Sequence, residues 1–156
     1  MSSQTRMTIA EFQLEVPQEY RGFVLQAHEL LTQNGYKCKF QLKKHGLSAQ
    51  YNSPATKGNA LQFIIRDNLL HMYLYNIFLH EHNGCLESLP PIVINEYAGY
   101  RNCTDSCNPV CITPRLEYKI NGMQYRKCAS GRRFFTVDEA VVTGILSVLQ
   151  NGKNEI

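Results

Sequence analysis

The segment from Tyr36 to Tyr75, YKCKFQLKKHGLSAQYNSPATKGNALQFIIRDNLLHMYLY, decides the fold class. Tyr36, Cys38, Phe40 and Leu42 alternate with Lys37, Lys39, Gln41 and Lys43. Successive side chains of a strand point to opposite faces, so this pattern reads as a half-buried strand with one apolar side. His45 and Gly46 make a turn, and Leu47, Ala49 and Tyr51 return with Ser48 and Gln50 between them. The stretch from Asn52 to Asn59, with Pro54 and Gly58, reads as a loop. Leu61, Phe63 and Ile65 resume the alternation, which Arg66, Asp67 and Asn68 interrupt. From Leu69 to Tyr75, Leu70, Met72 and Leu74 fall on one face and His71, Tyr73 and Tyr75 on the other. Four such strands in succession predict an antiparallel meander over 36–75, one face packed and the other partly aromatic.

Upstream, Tyr20, Phe23, Val24, Ala27, Leu30 and Leu31 recur at three- and four-residue spacing. Pro17 suits the first turn and Gly35 the position past the end, which predicts a helix over 17–34. Residues 1–15 show no clear period and read as a loose arm or a short edge strand. Downstream, 77–100 reads as two short helices, Ile77 to His82 and Leu89 to Tyr100, followed by a cysteine loop and hairpin over 101–135. Within that last segment Asn121-Gly122 is a strong hairpin signal between Leu116-Tyr118-Ile120 and Met123-Tyr125. Thr136-Val137-Asp138-Glu139 reads as a capping box opening a C-terminal helix over 137–150. The expectation is a single α+β domain, 1–156: a mainly antiparallel sheet, meander plus hairpin, packed by an N-terminal and a C-terminal helix.

With 156 residues, 44% of them hydrophobic, the chain is long enough to build a core without disulfides. The segment from Met1 to Glu19 has no apolar run of signal-peptide length, and the apolar stretch Leu69 to Leu79 is far shorter than the roughly 20 residues that span a bilayer. These features point to a cytoplasmic protein with no membrane partner.

Chemistry concentrates in the cysteines. Cys103, Cys107 and Cys111 are spaced by three residues, and Cys128 follows after sixteen. If Asn121 and Gly122 form the turn, Arg115 faces Cys128 and the hairpin returns the fourth thiol to the loop that holds the other three. Four thiolates suit a tetrahedral, borderline-soft cation, so this set predicts a structural zinc site, with Arg101, Arg115, Arg126 and Lys127 compensating its charge. Disulfides and plain thiols are the competing readings, since four cysteines allow three connectivities that spacing does not separate.

Other signals are weaker. Six bases between Arg115 and Arg133 face the single acid Glu117, and Arg126, Lys127, Arg132 and Arg133 run into Phe134-Phe135, a mixture of bases and rings that suits nucleic acid. Against that reading, both phenylalanines stand just before a capped helix, where one of them is expected to act as a hydrophobic staple. Tyr51, Tyr73 and Tyr75 suggest a small-molecule site between sheet and helices. His80-Glu81-His82 lies on a predicted helix, where a two-residue offset makes the imidazoles diverge. No catalytic residue stands out. The sequence therefore favours a binding or interaction module with a structural zinc over an enzyme, with nucleic-acid binding by the hairpin 115–133, small-molecule binding or thiol redox chemistry as alternatives.

Overall fold

A computed structural model of the chain describes residues 7–44, 46–98, 115–120, 122–128 and 131–152. The expected meander forms β1 (Lys37–Lys43), β2 (Gly46–Asn52), β3 (Asn59–Arg66) and β4 (Leu69–Tyr75), all paired antiparallel. The β3–β4 connection is a two-residue turn in which Asp67 and Asn68 both have positive φ, 55° and 61°. That is the backbone a right-twisted hairpin needs, and Asp and Asn tolerate it better than other residues with a Cβ.

Two elements depart from the expectations. Residues read as an arm contain α1 (Ile9–Glu15), opened by Thr8, whose hydroxyl accepts from the Glu11 amide while Glu11 accepts from the Thr8 amide. This capping box satisfies two backbone donors and lets a seven-residue helix form, and Phe12 anchors it by packing against Phe40 at 5.3 Å. The second departure is β7 (Arg132–Thr136), which pairs with β4 and extends the sheet to the order β1-β2-β3-β4-β7. Phe134 and Phe135, one of them expected to be a helix staple, instead point to opposite faces of this fifth strand. The helix that follows, α5 (Glu139–Gly152), is capped by Asp138, whose Oδ1 accepts from the Val141 amide at 2.9 Å; the Thr136 hydroxyl lies 3.1 Å from His71 Nδ1 instead.

The helices α2 (Arg21–Gln33) and α5 cover one face of the sheet. On that side the cross-strand row Phe40, Ala49, Phe63, Met72 and Phe135 meets Phe23, Val24, Ala27 and Leu31 of α2 and Val141, Ile145 and Val148 of α5. Each large side chain fully buried here contributes about 1.5–3 kcal/mol relative to exposure.

After β4 come α3 (Asn76–Glu81) and α4 (Pro91–Ala98), and then the separate hairpin β5 (Arg115–Ile120) and β6 (Met123–Cys128). The hairpin buries Tyr118 and Ile120 and is stitched to α3 by polar contacts. Tyr118 Oη donates to Asn76 Oδ1 at 3.2 Å, Asn76 Nδ2 donates to the Cys128 carbonyl at 2.8 Å, and His80 Nδ1 lies 2.7 Å from the Glu117 carbonyl. Since a carbonyl can only accept, His80 carries its proton on Nδ1 there.

Candidate functional site: the open face of the sheet

Strand alternation dictates what the second face of the sheet carries. Lys39, Gln50, Gln62, Tyr73 and Phe134 form one row across all five strands; Gln41, Ser48, Ile64, His71 and Thr136 form the next. Tyr75 lies opposite Arg132. Polar groups at the β1 side thus give way to rings at the β7 side.

The rings form a cluster. Phe134 stacks on His71 at 4.9 Å between centroids and 24° between planes, and leans on Tyr73 at 5.0 Å. The Arg132 guanidinium lies 4.0 Å from the Tyr73 centroid and donates to the Tyr75 hydroxyl at 3.0 Å, which in turn donates to Gln62 Oε1 at 3.3 Å. Tyr75, Gln62 and His71 are buried beneath these contacts, whereas Phe134 is 43% exposed and Leu69, on the same face, 51%. Burial, and then the nearby Arg66, pull the His71 imidazole below its usual pKa, so it presents a neutral ring at neutral pH. Stacking on one side and a cation fixed over a ring on the other make a surface that can take a flat, negatively charged group.

This site overlaps the nominated residues only in part. The zinc reading is corrected: among the described residues no group of three or more His, Cys, Asp or Glu side chains is placed to hold a metal ion. Cys103, Cys107 and Cys111 lie outside the described residues. Cys128 does sit opposite Arg115 at the hairpin base, half-buried, with its carbonyl accepting from Asn76 and Gly131. Nearby ligand types are engaged elsewhere: His80 meets a carbonyl, and Glu81 accepts from the Tyr36 hydroxyl at 2.8 Å and from the Ser53 hydroxyl at 2.5 Å. A function organised around structural zinc is thus not what the described residues support.

The nucleic-acid reading of the hairpin loses its basis for a different reason: its four bases are divided between two sheets and between buried and exposed positions. Lys127 is buried, with its ammonium 5.4 Å from the Tyr125 centroid, and burial pulls its pKa down. Arg133 lies on the helix-facing side of β7, in register with Leu74, while Arg126 is on β6 opposite Glu117. Only Arg132 reaches the open face. The tyrosines proposed for a site between sheet and helices are divided as well. Tyr51 is buried on the helix side, with its hydroxyl 2.8 Å from His28 Nδ1, and Tyr73 and Tyr75 are on the other. Thiol chemistry finds no support at Cys38, whose thiol burial pushes up to about 11, leaving it protonated at neutral pH.

Sequence reasoning missed His71, and it noted Phe134 only as one of two rings beside the bases, without placing it on a strand face. The available signal was alternation within Arg132-Arg133-Phe134-Phe135, which assigns Arg132 and Phe134 to one face once the segment is known to be a strand. Comparison of the chain with family models, with curated proteins and with solved structures finds no match in any of the three. No helix among the described residues is long and apolar enough to cross a membrane.

Proposed function

We propose that the chain is a binding protein whose open sheet face holds a ligand by stacking a planar ring on Phe134, beside Tyr73 and His71, with Arg132 pairing a negative group on the same ligand. The observation that carries this reading is the exposure of Phe134: a large apolar ring stands 43% open to water although a packed core lies on the other side of the same strand. Covering it with a ligand ring removes apolar area from water and adds an aromatic pair worth about 0.5–1.5 kcal/mol beyond that burial. Arg132 is held in place by Tyr73 and Tyr75 before any ligand arrives, so little side-chain entropy is lost on binding.

The test is a fluorescence titration with anilinonaphthalene sulfonate, an aromatic ring system bearing one anion. Phe134→Ala weakens binding by about tenfold, in the range of single-ring stacking, and Arg132→Gln weakens it too. Leu42→Ala, which removes a side chain 84% exposed on the opposite face, leaves the titration unchanged. Titrations of Phe134→Ala and Arg132→Gln that match the wild type overturn the proposal.

A further inference from the structure

The charge pattern of the sheet extends beyond what one small ligand can use. None of the five strands contains an Asp or Glu. Their open face carries Lys37, Lys39, Arg66 and Arg132, so an anion meets attraction and no carboxylate from any strand position. Lys39 and Phe134 end the same row, four strand spacings apart, which is about 19 Å at roughly 4.8 Å per spacing. A phosphate attached to a ring stacked on Phe134 reaches Arg132, on the same strand, but not Lys39. An occupant that uses both ends of the row must be a chain with repeated negative charge and at least one flat ring.

We infer that this face is a docking surface for single-stranded nucleic acid, with bases stacked on Phe134 and its neighbours and the phosphate backbone running across the strands toward Lys39 and Lys37. This inference rests on the reading of the open face as a binding surface and adds the class of ligand. Ring stacking supplies sequence-tolerant contact for bases, and the flanking cations track the backbone. Gln50, half-buried next to Lys39 in the row, adds an amide able to bond base edges; its Nε2 at present donates to Asn52 Oδ1 at 3.1 Å. An acidic peptide would find the same cations but would meet the rings only through occasional aromatic side chains, whereas a nucleic-acid strand presents a flat ring and a negative charge at every unit and fits both features.

Fluorescence anisotropy with a labelled twelve-nucleotide oligothymidylate tests the inference, beside the dye titration on the same samples. Binding is expected to weaken with salt at a slope of about −2 to −3 in log–log form, for three or four phosphates neutralised. Phe134→Ala lowers oligonucleotide affinity by about 5- to 150-fold. Lys39→Gln lowers it and flattens the salt slope by about 0.7, while dye binding stays at the wild-type value. Circular dichroism confirms that the variants are folded. Dye binding without oligonucleotide binding overturns this inference and leaves the smaller ligand reading standing; loss of both overturns both. Oligonucleotide binding that survives Phe134→Ala and Lys39→Gln, or equal competition by a poly-glutamate peptide, also overturns it.

Discussion

His82 shows how a single side chain couples this fold to pH. Its ring is buried between Phe78, at 4.3 Å, and Tyr36, at 6.3 Å, and burial lowers its pKa from 6.5 to about 4. The one hydroxyl proton of Tyr36 goes to Glu81 Oε1, so His82 Nε2, 3.3 Å from that hydroxyl, is the donor of the second contact. Nδ1 is then the unprotonated nitrogen, and it is buried without a partner among the described residues. Above pH 6.5 both folded and unfolded chains carry a neutral His82, and the group adds no pH dependence. Between pH 6.5 and 4 the unfolded chain binds a proton that the folded chain refuses. Stability therefore falls by about 1.4 kcal/mol per pH unit, roughly 3 kcal/mol in all, and this group contributes no further loss below about pH 4. Urea unfolding across that window checks the effect: His82→Phe should lose less stability than the wild type on acidification. Parallel curves for the two proteins would show that another group carries the acid sensitivity.

Elements differ in how far local sequence determines them, and two glycines make the contrast measurable. Gly46 opens β2 with φ of +132°, and a Cβ there would run into the Ile65 carbonyl oxygen of β3. Gly46→Ala should cost about 2–4 kcal/mol, combining backbone strain with overpacking against a neighbouring strand. Gly22, in the first turn of α2, has open space where an alanine methyl would sit, with no neighbouring atom within 4 Å, so Gly22→Ala should stabilise by about 0.5 kcal/mol through helix propensity. Chemical denaturation of both variants tests the opposite signs. The meander was legible because each strand alternates and its partner is adjacent in the chain. α1 was not, because seven residues give too little periodicity, although Thr8 and Glu11 already spelled its cap. β7 was hidden twice over: Arg132-Arg133-Phe134-Phe135 repeats each residue type and masks the alternation, and its partner β4 lies some sixty residues earlier, outside any local window. The candidate site inherited that blindness, since three of its rings, His71, Tyr73 and Tyr75, come from β4 and the exposed one, Phe134, from β7. The cysteine spacing pulled the reading elsewhere, because proximity along a chain specifies neither the number of ligands that converge nor what else their neighbours bond.

At the scale of the molecule, the sheet separates stability from recognition by face. Helices α1, α2 and α5 pack on one side, where Phe63 is fully buried and meets Phe23 at 5.6 Å and Tyr51 at 6.0 Å, both edge to face. Its truncation to alanine should cost about 3–5 kcal/mol, which for a chain of this size is about 6–20 °C in Tm. Phe134 has its partners on the open face and remains 43% exposed, so Phe134→Ala should cost about 1 kcal/mol or less while removing the proposed ligand contact. The two variants are then expected to behave in opposite ways: Phe63→Ala melts early yet binds dye and oligonucleotide normally well below its Tm, and Phe134→Ala melts almost like the wild type but binds weakly. Thermal melts and titrations on the same preparations decide it. Loss of binding by a folded Phe63→Ala chain would mean that core packing sets the geometry of the open face, because Phe63 and Gln62 are consecutive on β3 and any shift of the strand moves both. Retained binding would mean that the strand pairing alone holds the row from Lys39 to Phe134 in register.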